Sequence, residues 1–308
     1  ESLWSLYPFI HTLKGFDERV LDLSCGAGHC SFIISENVKP KELFCADCDF
    51  RNLSFARNYM AKGADYFCID ANYPLPFADG IFSCVHMLDA FHSILSRASL
   101  AREMERVISQ QGLLLLLHEH STLYRDYAYG YPMSPSGWAR LFHRLPVQVL
   151  SEKSVVMDFL SNDMLDLQRE STPAELSCSM AFAIVGCGDL SAFRIYRHLW
   201  KDILNNKNNL IINPIYSIKN VSGKLILKLE YPSDYFRREY PLTEKYLPEQ
   251  CLISSNLAKA FKGRFLHMDY SIASKREQRE IEDLMKKFII INVPRKYCRN
   301  TPSKCSLP

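Results

Sequence analysis

The sequence predicts an α/β protein that begins with a doubly wound, mostly parallel sheet and ends with a small α+β unit. Three observations predict this architecture. Short apolar runs alternate with helical patterns from residue 18 to residue 120, which is typical of parallel βαβ units. The alternation stops after Glu119, and near residue 190 both the pattern and the balance of charge change. We therefore expect two domains, residues 1–189 and residues 190–308.

Five strands are expected between residues 18 and 120 of the first domain. A short amphipathic helix over residues 2–14, interrupted near Pro8, precedes them. Their apolar runs are VLDLS (20–24), ELFCAD (42–47), YFCID (66–70), IFSCVHM (81–87) and GLLLLLHE (112–119). Helical patterns near 29–37, 51–62 and 96–109 separate several of these runs. Because crossover connections of this kind join parallel strands, helices should cover both faces of the sheet.

The later elements are less regular. The segments VQVLSEKSVVMDFL (147–160) and SMAFAIVG (179–186) predict two strands, paired as an antiparallel hairpin at the sheet edge. From residue 190 we expect a helix over LSAFRIYRHLWKDIL and then two strands, LIINPIYSIK and KLILKLEY, joined by the turn NVSG (220–223). Helices near 253–262 and 275–288 and a strand FIIINV (288–293) complete the α+β unit.

Composition restricts the class of protein. The chain has 308 residues, 47% of them hydrophobic, without an apolar run of about 18 residues, so we expect no membrane span. Residues 1–15 lack the pattern of a signal peptide. The eleven cysteines are scattered, and several fall in predicted strands, which favours free thiols and a cytoplasmic location. The single CxxC, Cys45 to Cys48, has no second pair, so we expect no metal there.

The charge of the chain is divided unevenly. Residues 197–308 carry 21 Lys and Arg against 11 Asp and Glu, whereas residues 1–196 carry 16 against 23. The basic part either contacts an anionic partner, such as a negatively charged small molecule, or forms an ordinary solvated face. Its basic residues lack interleaved aromatic residues, which disfavours nucleic acid as the partner.

A cluster of small residues follows the first strand, in the order Asp22, Leu23, Ser24, Cys25, Gly26, Ala27, Gly28. A strand that turns through glycines into a helix brings backbone N–H groups close to a ligand. Nicotinamide enzymes and S-adenosylmethionine (SAM) enzymes both use such a corner. Ser31 stands where a dinucleotide fingerprint has its third glycine, so this loop alone does not decide between them.

Two further stretches follow the second and third strands. Asp47 and Cys48 end the second strand, and a carboxylate there can accept both hydroxyls of a ribose. Asp70 and Ala71 are followed by Pro-Leu-Pro-Phe-Ala-Asp-Gly at 74–80. A nicotinamide enzyme has no counterpart to this proline-rich loop, which therefore favours SAM.

Two more stretches complete the pattern: Cys84 to His92 follow the fourth strand, and Glu103, Arg106 and Gly112 precede the fifth. Together with the loops after the first three strands, these motifs resemble the class I SAM-dependent methyltransferases, particularly the group that methylates small molecules. The resemblance covers residues 18–186 and implies a Rossmann-like fold with SAM as cofactor. It implies contacts of Asp22 with the SAM ammonium group, of Asp47 with the ribose, and of Asp70 with the adenine. The cofactor-binding residues that it implies are Asp22, Ser24, Gly26, Gly28, Asp47, Cys48, Asp70, Ala71 and His86.

His118 and His120 flank Glu119 at the end of the fifth strand, and alternation directs both to one side. Because imidazole titrates near neutral pH, either is a candidate catalytic base, with His86 and His92 as comparable candidates. They are equally compatible with structural roles, and the sequence offers the pair no third metal ligand. The cluster Tyr124, Tyr127, Tyr129, Tyr131 and Trp138 either caps an acceptor or packs on a helix.

We therefore expect a SAM-dependent methyltransferase that transfers a methyl group to an oxygen or nitrogen of a small-molecule acceptor by in-line displacement. The alternatives are a catalytically silent methyltransferase-like binding subunit and an NAD-dependent oxidoreductase. No Asn-Pro-Pro-Tyr motif follows the fourth strand, which disfavours methylation of nucleic-acid bases. The acceptor, the role of residues 190–308 and the oligomeric state are not readable from the sequence.

Overall fold

The computed structural model describes residues 2–124, 130–200, 209–239, 243–268 and 270–293. The chain divides into two compact units, residues 2–203 and residues 204–308. This division falls later than the expected boundary after residue 189. The reason is a short antiparallel pairing of Ile195–Arg197 with Met164–Asp166, which joins the residues after 189 to the first unit.

The first unit is built on a seven-stranded sheet. Its strands are β1 (Arg19–Leu23), β2 (Glu42–Asp47), β3 (Asp65–Cys68), β4 (Phe82–Leu88), β5 (Ile108–His120), β6 (Val147–Ser151) and β8 (Ala181–Cys187). The spatial order is β3-β2-β1-β4-β5-β8-β6. The remaining strands β7 (Met164–Asp166) and β9 (Ile195–Arg197) form a separate two-stranded sheet.

Eight α-helices have both ends within the described residues of the first unit. They are α1 (Ser2–Leu6), α2 (Ile10–Leu13), α3 (His29–Asn37), α4 (Phe50–Tyr59), α5 (Arg97–Val107), α6 (Pro135–Ala139), α7 (Glu152–Asn162) and α8 (Pro173–Ser177). Short 3₁₀ turns cover Tyr7–Phe9, Lys14–Phe16, Phe91–Ser93 and Leu190–Ala192. No helix in the described parts of the chain combines the length and the apolar character needed to cross a membrane.

The sheet has the predicted doubly wound, Rossmann-like architecture. Strands β1 to β5 are parallel, and β8 runs antiparallel to both β5 and β6 at one edge. The chain order reverses between β1 and β4, and ligands of such sheets bind at this switch point, beyond the carboxyl ends of the strands. The predicted antiparallel edge pair is confirmed.

One predicted strand was wrong over half of its length. The segment 147–160 is a strand only to Ser151, and its second half forms α7. The Ser151 hydroxyl accepts a hydrogen bond from the backbone N–H of Ser154 at 3.2 Å, so it caps the helix. The edge pair is therefore joined through α7, β7 and α8 rather than by a tight turn.

The centre of β5 is the most deeply buried part of the sheet. Residues Leu113 to Leu117 are 0% exposed, as expected for a strand buried on both faces of a sheet. Phe82 and Trp138 are also fully buried in the cluster that includes Leu114. Burial of each such side chain stabilises the fold by about 1.5–3 kcal/mol relative to its exposure. The strand ends thus project from a rigid base.

The second unit is small and antiparallel. Its strands are β10 (Asn209–Ile212), β11 (Tyr216–Val221), β12 (Lys224–Leu229), β13 (Gln250–Ile253), β14 (Phe261–Lys262), β15 (Phe265–Leu266) and β16 (Ile290–Val293). Its described helices are α9 (Asp234–Glu239), α10 (Thr243–Tyr246), α11 (Ser255–Ala258) and α12 (Lys275–Lys286), and Tyr270–Ile272 is a 3₁₀ turn. Two sheets result, in the orders β14-β15-β10-β16 and β11-β12-β13.

Of three sequence predictions for residues after 189, two need correction and one is confirmed. The helix expected from residue 190 is a 3₁₀ turn, Leu190–Ala192, followed by β9. The run LIINPIYSIK is divided at Pro214 into β10 and β11, which belong to different sheets, because proline cannot donate a ladder hydrogen bond. The turn at 220–223 is confirmed, with positive φ at Ser222 and Gly223.

Candidate functional site

The loop between β1 and α3 is held open by left-handed backbone. Ser24, Gly26 and Gly28 have φ of 58°, 53° and 82°. A Cβ at Gly28 would approach the Cβ of Ala56 to 2.7 Å, so this glycine lets α4 pack closely. A Cβ at Gly26 would meet nothing within 4 Å. The space beside Gly26 is therefore open to a ligand, while the space at Gly28 is taken by the protein.

Asp47 connects this loop with the end of β2. Its Oδ2 accepts a hydrogen bond from the backbone N–H of Gly26 at 2.8 Å, and its Oδ1 accepts one from the N–H of Asp49 at 2.8 Å. A carboxylate has about four lone-pair positions, so this half-buried group retains capacity to accept from a ligand. Asp47 thus both shapes the glycine loop and offers acceptors beside it.

Asp70 lies on the loop that follows β3. Its Oδ1 accepts hydrogen bonds from the backbone N–H and from the side-chain Nδ2 of Asn72, both at 2.9 Å. These bonds lower the pKa of the exposed Asp70 carboxyl below its ordinary value. Ala71 is buried behind it. The acid is therefore ionised and available at the rim of the sheet.

Cys48 lies between these two acids. Its backbone carbonyl is 3.6 Å from Sγ of Cys68, and burial together with the charges of Asp47 and Asp70 raises the pKa of its thiol. The predicted residues Asp47, Cys48 and Asp70 are thus brought to one edge. All nine described cysteines are free.

Asp22 and His86 form a buried pair beneath the loop. Oδ2 of Asp22 accepts a hydrogen bond from the Ser31 hydroxyl at 2.5 Å, and Oδ1 lies 3.2 Å from Nδ1 of His86. The side chains of Asp22 and His86 are 2% and 0% exposed. Nε2 of His86 is buried and has no hydrogen-bond partner among the described residues. The pair joins β1, α3 and β4, and its contact with SAM stays a prediction.

A second group of side chains lies where β4 and β5 end. Nε2 of His120 is 3.5 Å from Oδ1 of Asp89, and Nε2 of His92 is 3.9 Å from the same oxygen. The rings of His118 and His120 have centroids 5.2 Å apart and are nearly perpendicular. The two predicted histidines are therefore together, and Asp89 and His92 join them.

The carboxylates behind these histidines are buried. Nδ1 of His118 is 2.8 Å from Oε1 of Glu152, the first residue of α7. Nδ1 of His92 is 3.1 Å from Oε2 of Glu119, which also accepts the backbone N–H of His92 at 2.8 Å. Burial lowers the pKa of His118, but the charge and hydrogen bond of Glu152 and the charge of Asp89 together outweigh burial and raise the pKa to about 9. A protonated imidazole is a poor base at neutral pH, so His118 alone does not suit that role.

The aromatic cluster separates into packing and surface residues. Trp138 is fully buried against Phe91, with ring centroids 5.5 Å apart, and its Nε1 donates to the His120 carbonyl at 3.2 Å. Tyr131 is 49% exposed and lies under the Arg97 guanidinium, 5.4 Å from its ring centroid. Tyr124 is half-buried. Trp138 is therefore a packing residue, while Tyr127 and Tyr129 lie outside the described residues.

The residues along β1, β2 and β3 fit SAM. The open space at Gly26 accommodates a ligand against bare backbone, and the Asp47 carboxylate beside it can accept from a ribose. The ionised Asp70 can accept from an exocyclic amine.

Sequence reasoning missed three residues of this region. Asn72 accepts the backbone N–H groups of Leu95 and Ser96, both at 3.1 Å, and so ties the Asp70 loop to the start of α5. Asp89 lies in the segment from Cys84 to His92, and the sequence suggests no role for it. Glu152 lies in the segment 147–160, which the sequence predicts to be a strand. Its proximity to His118, 34 residues earlier, has no sequence pattern that could have revealed it.

The first unit is similar to known methyltransferases. Residues 21–116 match a family model described as a methyltransferase domain. The demethylmenaquinone methyltransferase of Thermotoga maritima is 27% identical over 100 residues, which are 32% of this chain and 43% of that protein. The match thus spans less than half of the length of this relative.

Several solved structures are similar to part of this chain at low identity. A SAM-dependent methyltransferase from Mesorhizobium loti is 13% identical, with 59% of this chain and 97% of that one covered and a TM-score of 0.46. One from Aquifex aeolicus is 14% identical, with 59% and 89% covered and a TM-score of 0.41. A complex between the Haloferax volcanii Trm112 methyltransferase activator and a methyltransferase matches 60% of this chain and 90% of the other, at 14% identity and a TM-score of 0.46.

Proposed function

We propose, from the premise that residues 21–116 are a domain of the class I SAM-dependent methyltransferase family, that this protein transfers a methyl group from SAM to a small molecule. The acceptor atom is an oxygen or a nitrogen. The observation that carries the proposal is the hydrogen bond from the Gly26 N–H to the Asp47 carboxylate, because it joins the open backbone at β1 to the acid at the end of β2.

Each strand end has a separate task in the proposal. SAM, when bound, supplies a methyl group activated by a positively charged sulfur. Gly26 lets the backbone approach the methionine part, and Asp47 accepts from the ribose hydroxyls. Asp70 accepts from the adenine amino group, and the buried Ala71 contributes its backbone N–H. Asp22, Ser24, Gly28, Cys48 and His86 complete the binding site.

His118 and His120 act at the acceptor end. A hydroxyl or amine must lose a proton when it is methylated, and we assign either His118 or His120 to assisting that loss. Positioning of the acceptor in line with the methyl group contributes the rest of the rate enhancement, because the carbon is already activated. We assign the second unit, which is basic overall, to binding an anionic acceptor. We place the protein in the cytoplasm on the abundance of free cysteine.

Calorimetry on the full chain tests the cofactor. We expect SAM and S-adenosylhomocysteine to bind with micromolar affinity, about 8 kcal/mol, and NAD not to bind. Asp47→Asn places an amide group where two N–H donors converge, and we expect a loss of about 10-fold or more in SAM affinity. Asp65→Asn is the matched control, because Asp65 is exposed at the opposite end of β3.

Two results would contradict the proposal. Tight binding of NAD without binding of SAM would favour an oxidoreductase. Absence of binding for all three ligands would favour a silent binding subunit.

A metabolite extract identifies the acceptor. The full chain is incubated with extract and SAM carrying a labelled methyl group, and labelled products are found by mass spectrometry. We expect a labelled small molecule that is missing from the Asp47→Asn reaction. If SAM binds but no product is labelled in extracts or in RNA, the chain is not a methyltransferase of small molecules.

A further inference from the structure

Three side chains that commonly bind metals converge beyond the ends of β4 and β5. Asp89, His118 and His120 each offer one ligand atom, and these atoms all lie within 4.8 Å of one another. Within the described ranges, no other group of three His, Cys, Asp or Glu residues meets this condition. Two imidazoles and a carboxylate suit divalent transition metals such as Zn²⁺, Co²⁺ or Fe²⁺ better than Mg²⁺ or Ca²⁺.

The spacing of two of these atoms matches metal coordination better than a hydrogen bond. Nε2 of His120 and Oδ1 of Asp89 are 3.5 Å apart. An N–H···O hydrogen bond is usually about 2.7–3.2 Å long. Two ligand atoms bound to one tetrahedral zinc, each at about 2.0–2.1 Å, lie roughly 3.4 Å from each other. The other separations within the group are at most 4.8 Å.

His118 is oriented by a carboxylate in the way that metal-binding histidines are. A metal-bound imidazole almost always gives its second nitrogen to a carboxylate or carbonyl, which fixes the ring and its tautomer. Nδ1 of His118 has this contact with Glu152, at 2.8 Å. This leaves Nε2 as the atom directed at a metal, which would displace its proton on binding. His92, bonded to Glu119 in the same manner, lies beside the group as a third imidazole.

The backbone is distorted at two of the three residues. Asp89 and His118 have φ of 54° and 59°, in the left-handed region that residues with a Cβ seldom adopt. The pairing of β5 with β8 also changes register between Leu116 and Glu119, so a bulge carries His118. Bulges and unusual φ values are frequent at functional sites, where they direct a side chain. Here both distortions bear on the same group.

The group leaves room for a substrate. The side chain of Asp89 is 38% exposed and that of His120 is 12% exposed, while Glu152 behind His118 is 13% exposed. Three protein ligands with an accessible fourth position are typical of catalytic zinc sites. A structural zinc site, in contrast, has four protein ligands.

We propose that Asp89, His118 and His120 bind a divalent transition-metal ion of the zinc type at the acceptor end of the site. Its role in catalysis, though not its binding, rests on the proposed function. The open position binds the acceptor oxygen or nitrogen and lowers the pKa of that group. The acceptor then releases its proton to water, its lone pair forms a bond to the methyl carbon, and the carbon–sulfur bond breaks with its electron pair going to sulfur. The products are the methylated acceptor and S-adenosylhomocysteine.

Metal titration of the full chain tests this proposal. The protein is treated with a chelator, dialysed and titrated with Co²⁺, whose visible absorption reports coordination, and Zn²⁺ then competes. We expect one equivalent of each to bind, Mg²⁺ not to compete, and His120→Ala and Asp89→Asn to weaken Co²⁺ by about 100-fold or more. Glu152→Gln should weaken it by about 10- to 100-fold, as second-layer changes do. His143→Ala is the control, because His143 is exposed and outside the group.

The metal titration and the SAM-binding experiment can succeed or fail independently of each other. Asp89 is exposed, so Asp89→Asn should keep the fold even if changes at the buried His118 do not. Equal Co²⁺ affinity in the parent and in Asp89→Asn would overturn the proposal and leave Asp89 as an ion-pair partner of the histidines. SAM binding, measured on the same samples, should persist in every variant. If the parent protein binds SAM but no Co²⁺, the proposed metal site is wrong and the proposed function still stands.

Discussion

At the residue scale, three residues with strained backbone lie at the edge of the sheet where its parallel strands end. Ser24, Asp89 and His118 have φ between 54° and 59°, and they lie just after β1, just after β4 and in the bulge of β5. A left-handed residue with a Cβ costs about 1–2 kcal/mol relative to the usual region. Ser24 therefore keeps a backbone conformation that is usual for glycine.

Ser24→Gly should therefore stabilise the protein. Glycine removes the left-handed strain, and its greater freedom in the unfolded chain offsets part of that gain. We expect the free energy of unfolding in urea to rise by about 0.5–1 kcal/mol, with SAM affinity unchanged. Ser35→Gly in α3 is the matched control, and it should destabilise by about 0.5 kcal/mol because it lies within a helix. A loss of stability in Ser24→Gly would mean that the hydroxyl matters more than the strain.

At the scale of elements, the loops after parallel strands are held by side chains from their neighbours. Asn72 bonds Asp70 and the two backbone N–H groups that precede α5. Arg106 of α5 donates to the Leu75 carbonyl at 3.0 Å and pairs with Glu103, which lowers the pKa of Glu103. The loop that carries Asp70, which we propose to bind adenine, is thus attached to α5 through Asn72 and Arg106.

Asn72→Ala should weaken this attachment. The change removes three hydrogen bonds, and each contributes about 0.5–1.5 kcal/mol net. We expect SAM affinity to fall by roughly 10-fold, and the pKa of Asp70 to rise because it loses its side-chain donor. Calorimetry measures the first effect and carboxyl NMR the second. Asn58→Ala on the exposed face of α4 is the control, and equal SAM affinity in both variants would remove the Asp70 loop from the cofactor site.

At the scale of the whole molecule, the chain is divided between two compact units of different charge. All residues proposed to bind SAM or a metal lie within residues 2–203. Residues 197–308 carry the excess of Lys and Arg. Several of these cations already have protein partners: Arg237 pairs with Glu244 at 2.7 Å, and Lys287 pairs with Asp283 at 2.7 Å. Such exposed pairs contribute little to stability, so the excess charge is available to an anionic partner.

A chain that ends at residue 203 separates the two roles. We expect it to bind SAM like the full chain and to lose turnover of the acceptor identified by labelling. Full turnover without the second unit would show that this unit serves something other than catalysis. The intact protein should bind RNA weakly; tight binding with a steep dependence on salt would instead favour a nucleic-acid role for the basic unit.

The sequence by itself determined the parallel sheet and most of the candidate SAM site. Each residue proposed to bind SAM lies in a strand or within a few positions after its end, and strands β1, β2 and β3 are apolar runs that local patterning identifies. Helix α3 and strand β2 have the predicted bounds, 29–37 and 42–47. Asp47 and Asp70 could be found because parallel strands end at the same edge, so that order along the chain becomes proximity in space.

Only the tertiary structure decided which residues come together at the proposed acceptor end of the site. Glu152 was hidden in an expected strand, because a helix that begins directly after a strand has no turn residues to mark the change. The position of His118 depends on a bulge, and that of Asp89 on a left-handed residue, and neither follows from hydrophobic period. The group of Asp89, His118 and His120 forms because β4 and β5 are neighbours and because α7 supplies a carboxylate behind them. Contacts between distant segments of this kind are set by packing, which local patterns do not encode.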